Sequence, residues 1–161
     1  MNIIRDYFNA EKFESLFFIF AGILAIGLSI YFWFVLKEAF YRGIAVPLVL
    51  VAAIQITVGT TVYLRSPKDI IRVENILAKA PKKVQSEEIP RMETVMKNFV
   101  IYRYVEIALI LLGIGLFYFS PHQSFLRGIG LGLMVQAGVM LFLDYFAESR
   151  GIEYLNFLKN L

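Results

Sequence analysis

FVIYRYVEIALILLGIGLFYF, running from Phe99 to Phe119, is apolar for most of its length yet carries Arg103 and Glu106. About 20 apolar residues in a helix cross the roughly 30 Å hydrocarbon layer of a bilayer, so the stretch reads as a span. Ionisable groups at that depth are costly, and two in one span need a partner, a water-filled cavity or a task. Three further stretches read in the same way: Leu16–Leu36, Ile44–Leu64 and Ile129–Phe146. Backbone in lipid must satisfy its own hydrogen bonds, which makes all four helices. The expected fold is an all-α integral membrane protein, a four-transmembrane-helix bundle of two hairpins in a single membrane domain over residues 1–161.

Composition agrees. The 161-residue chain is 58% hydrophobic, too apolar for a soluble domain of this size to cover its surface with polar groups. Its mean hydropathy is +0.65. Met1 to Glu14 mixes charges with aromatics and leads to no Ala-x-Ala-like site, so a cleavable signal peptide is not expected. The absence of cysteine removes disulfides, thiol redox chemistry and Cys-bound metals, and with them the small four-helix quinone-linked disulfide enzymes. The single histidine, His122, lies beside Pro121 in a short connection without carboxylates around it, which reads as a plain loop residue; no metal or cofactor is expected. The net charge of +3 comes with no Lys/Arg stripe and interleaved aromatics, so nucleic acid is not an expected partner.

Orientation follows from Lys and Arg. Arg65 to Asn98 holds Arg65, Lys68, Arg72, Lys79, Lys82, Lys83, Arg91 and Lys97, whereas the short connections hold Lys37, Arg42 and Arg127. The positive-inside rule then puts the middle segment and both termini in the cytoplasm of a plasma (inner) membrane. Residues 66–98 read as helical. Ser66-Pro67-Lys68-Asp69 looks like an N-cap with Pro at the first helical position, Ile70, Val73 and Leu77 form a stripe, and Ala80-Pro81 ends it. A second start at Ser86-Glu87-Glu88-Ile89-Pro90 leads through a Glu93/Lys97 pair straight into the third span. Pro47 sits near the start of the second span, where a missing N–H costs least. The termini read as amphipathic surface helices lying in the headgroup region or on neighbouring helices, with Ile3, Ile4, Tyr7 and Phe8 at one end and Ile152, Leu155, Leu158 and Leu161 at the other.

The two halves resemble each other. Arg42-Gly43-Ile44 matches Arg127-Gly128-Ile129, and each half then places a glutamine in mid-span, Gln55 and Gln136. Such a match fits a parallel internal repeat or merely shared hairpin composition. Gly128, Gly132, Gln136, Met140 and Asp144 share one helical stripe; Gly59 lies on a similar face of the second span, and Ala21, Ala25 and Ser29 on the first. Small residues at this spacing permit close helix packing.

The polar constellation is Arg103, Glu106, Asp144, Gln55 and Gln136. A rise of about 1.5 Å per residue puts Arg103 level with Asp144 and Glu106 one turn deeper, so Arg103 is expected to bind Asp144, Glu106 or both. One reading makes the set polar glue; another makes Glu106 a proton or cation site at the base of a polar cavity lined by Gln55 and Gln136. No nucleophile–base pair or embedded Asp dyad points to an enzyme. The first functional expectation is a non-enzymatic subunit, scaffold or protective partner, as a homo-oligomer or with another membrane protein in the lipid bilayer. The second is a small channel or proton-linked transporter using Glu106. A lipid-modifying enzyme comes third.

Overall fold

The computed structural model describes residues 2–161. Among them 93% are helical and none is in a strand. Helix α1 spans Asn2–Tyr31, α2 Ala39–Lys79, α3 Ile89–Phe119 and α4 Phe125–Lys159. All four are long and apolar enough to cross a membrane. A π-turn, Phe32–Leu36, ends α1, and Lys37 then reverses the chain in the left-handed region at φ 62°. A second π-turn, Val84–Glu88, leads into α3. Ser124 caps α4 by accepting a hydrogen bond from the Arg127 N–H at 3.2 Å.

The helices outrun the expected spans, and three expectations change with that. Ser66 is not an N-cap: α2 continues through Pro67 without a break. The Ser66 hydroxyl instead donates within the helix to the Val62 carbonyl at 2.8 Å. Pro47 also lies inside α2, eight residues past its start, so both prolines leave a helical carbonyl without its usual N–H. The terminal stripes are not separate surface helices. They are continuations of α1 and α4, and of the two expected placements they take the one on neighbouring helices: Ile4, Phe8, Tyr154 and Leu158 pack with Val73, Val84 and Met92 into one core. Tyr7 stacks on Tyr154 with ring centroids 4.2 Å apart. Ala80 does end α2, and α3 does run from the middle segment into the third apolar stretch. Within it Glu93 reaches Lys159 of α4 at 2.7 Å rather than Lys97.

Packing order differs from chain order. α1 pairs with α2 and α3 with α4, while α2 and α4 lie side by side and join the two hairpins. The α2–α4 seam is made by glycine. A Cβ on Gly128 would strike the Phe40 carbonyl oxygen, one on Gly43 would lie 3.0 Å from the Gly128 Cα, and one on Gly132 would lie 2.5 Å from Pro47. Thus the two Arg-Gly-Ile segments meet face to face. Gly59 lets α1 approach, a Cβ there meeting the Ser15 carbonyl oxygen at 2.8 Å. Ala25 is buried and Ala21 half-buried in the same α1–α2 contact, where the Ser29 hydroxyl lies 3.3 Å from the Ala45 carbonyl. Gly22, Gly113 and Gly130 serve equally close contacts that sequence spacing did not single out.

Candidate functional site

α3 rests on α4 and nowhere brings its backbone close to α1 or α2 among the described residues. The two hairpins therefore diverge, leaving a cleft of about 550 Å³ between α2 and α3. Val51, Ile54 and Val58 of α2 form one wall, Tyr102, Val105 and Leu109 of α3 the other, and Ala137 and Met140 of α4 lie between them. Toward the charged end of the bundle the lining turns polar, with Glu11, Glu14, Arg65 and Arg150.

Glu106 of α3 and Asp144 of α4 are neighbours on the lining of this cleft. Glu106 is 5% exposed, and its Oε2 has no hydrogen-bond partner. Arg103 is not part of the pair. It makes no hydrogen bond to either acid and binds the Glu148 carboxylate on α4. The reason is register: α3 and α4 run antiparallel, so residue 103 lies beside 148 when 106 lies beside 144. Nor do Gln55 and Gln136 line the cleft. Gln136 Nε2 donates to Gln55 Oε1 at 2.8 Å inside the α2–α4 seam, and Gln55 Nε2 turns to the Met140 sulfur at 3.4 Å. The expected five-residue constellation therefore separates into a carboxyl pair, an ion pair and a glutamine pair.

Sequence reasoning did not single out the ionic lining. Glu11 and Glu14 lie three residues apart on α1, on the face turned to Arg65 and Arg150. Arg65 Nη2 binds Glu11 at 2.9 Å, and Arg150 binds Glu14. Burial pushes the Glu11 carboxyl above the usual range, with Arg65 opposing the shift only in part. Burial also lowers the Arg150 guanidinium. Two carboxylates one helical turn apart, ahead of an apolar run, were the available signal.

A second ionic cluster lies in the core beyond the cleft. Glu88 is fully buried and accepts from Arg91 Nη2 at 2.6 Å, Arg72 Nη2 at 2.8 Å and the Tyr154 hydroxyl at 3.1 Å. Burial alone would raise its carboxyl, but Arg91 and Arg72 outweigh that and hold it below the usual range. His122 is a loop residue whose Nδ1 sits 2.8 Å from Arg127 Nη1.

Fold and site together define a class: an all-helical bundle with four membrane-length helices and a cleft holding an acidic pair. No family model, curated protein or solved structure matches the chain.

Proposed function

We propose that the chain is an integral protein of the plasma (inner) membrane that works as a small proton-linked transporter. Both termini and residues 65–98 face the cytoplasm. Glu106 carries the coupling proton and shares it with Asp144. The observation behind this reading is the Glu106 carboxyl, buried beside a second acid at the edge of a cleft, with one oxygen unpartnered and its nearest arginine, Arg103, ion-paired to Glu148 instead. Two acids sharing a proton exchange it in response to what else enters the site. The activity is non-enzymatic, and no bound cofactor takes part in it.

The test is proton movement into vesicles loaded with a pH-sensitive dye, under an imposed potential. Wild-type protein carries protons and Glu106→Gln does not, while both give the same helical spectrum. Wild-type vesicles no leakier than protein-free ones would overturn the reading.

A second reading is favoured by the apolar walls Val51, Ile54 and Val105. The chain is then a subunit or scaffold, and a helix of a second copy or of another membrane protein fills the cleft. Light scattering of the purified protein distinguishes the two, because a stable monomer with nothing copurifying excludes this second role.

A further inference from the structure

We infer that the cleft between α2 and α3 takes a lipophilic organic monocation, an amine or quaternary ammonium with an apolar body, whose charged nitrogen sits against Glu106 and Asp144. The inference rests on the proton-linked reading above and names the substrate class of the same site.

Charge decides the sign of the ligand. The lining holds Glu11, Glu14, Glu106 and Asp144 against Arg65 and Arg150. Arg65 binds Glu11 and Arg150 binds Glu14, and the remaining nearby cation, Arg103, is held by Glu148. Glu106 and Asp144 are left without a basic partner. An anionic ligand would find no free cation at this depth, whereas a cation would meet two acids in a medium that strengthens the attraction. Glu106 Oε2, buried and unpartnered, is the acceptor on the cleft wall.

The walls decide the body. They are aliphatic and aromatic, and Phe18, Phe99 and Tyr102 add ring faces that attract a positive charge. A volume of about 550 Å³ suits a drug-sized molecule. A divalent metal is disfavoured because no group of three metal-ligating side chains exists among the described residues. Entry is sideways. Ile54 and Val105, one on each wall, are more than half exposed, so an amphiphile dissolved in the bilayer reaches the acids without crossing a polar barrier. On arrival its positive charge displaces the proton: the carboxyl O–H bond breaks, the proton passes to water, and no other covalent bond changes.

The experiment compares two probes of equal shape and opposite charge, tetraphenylphosphonium and tetraphenylborate, by equilibrium dialysis against the full chain in detergent. The phosphonium binds at one site per protomer with release of protons to a weak buffer, and the borate does not bind there. Glu106→Gln weakens the phosphonium at least tenfold. Val58→Trp, which fills the cleft from the α2 wall and leaves both acids in the sequence, does the same and covers the case in which Glu106→Gln fails to fold. Equal binding of both ions, or unchanged phosphonium binding in a folded Glu106→Gln or Val58→Trp, overturns the inference. Proton flux without phosphonium binding overturns it while leaving the proton-linked reading standing. Binding without proton release or flux does the reverse.

Discussion

Gln136 donates to Gln55 across the α2–α4 seam at 2.8 Å, and both amides are buried in an otherwise apolar layer. Neither can turn to solvent, so each is the other's substitute for water. Replacing Gln55 by Leu leaves the Gln136 amide without its acceptor. We expect a loss of about 0.6 to 2 kcal/mol, the range of interhelical hydrogen bonds in membrane bundles. Replacing both by Leu removes two buried polar groups together and recovers part of the loss. A double-mutant cycle by denaturant unfolding in detergent checks this. Simple addition of the two single losses would show that the pair is not coupled.

Gly128 sets the distance between the hairpins. A Cβ there would collide with the Phe40 carbonyl, which is backbone and does not move out of the way cheaply. Gly128→Ala should therefore cost about 1–3 kcal/mol, the usual penalty of overpacking. Gly115→Ala and Gly138→Ala are the controls, since nothing lies within 4 Å of either added Cβ. In those cases better helix propensity should leave stability unchanged or raise it by up to about 1 kcal/mol. Thermal unfolding of the three variants reads the contrast directly.

Glu88 couples α2, α3 and α4 outside the apolar layer through Arg72, Arg91 and Tyr154, with Asp69 sharing Arg72 at 3.1 Å. Glu88→Ala leaves two guanidinium groups without their acceptor and should cost about 3–5 kcal/mol. The pH dependence has a fixed sign. The folded carboxyl lies below its unfolded value of about 4.3, so the contribution is complete above that value and is lost as pH falls through the folded one. Unfolding of wild type and Glu88→Gln at neutral pH and near pH 3.5 measures it. The gap between them should narrow on acidification, and a constant gap would contradict the account.

The reading of long apolar helices succeeded where one property dominated. Long apolar runs such as Leu16–Leu36 leave no alternative to a helix, and glycine spacing located the Gly128–Gly132 face. It failed where the answer depended on register between helices. Arg103 has acids at 106, 144 and 148 within reach, and depth counted from span ends carries an error of about one turn. That is enough to choose Asp144 when the partner is Glu148. The cleft was illegible for a related reason. Val51 and Val105 look the same in sequence whether they touch another helix, lipid or an opening. The Glu88 cluster was hidden because three separate helices supply its donors.

Pro67 shows how tertiary packing overrides a local signal. Ser-Pro-x-Asp favours starting a helix, yet α2 passes through it because Ser66 is buried against α1, with its hydroxyl 3.3 Å from Glu11. The proline still deprives the Tyr63 carbonyl of its helical N–H and crowds the preceding turn. Pro67 itself is exposed, so a smaller residue removes no packing. Pro67→Ala should therefore stabilise the chain, by up to about 3 kcal/mol if all of the proline penalty is felt at this site. Thermal unfolding together with amide exchange at the substituted position and its neighbours tests this. New protection at the amide that the substitution introduces, joined to a higher midpoint, is the expected result. A lower midpoint would mean that the proline shapes a bend required by the core around Val73 and Tyr154.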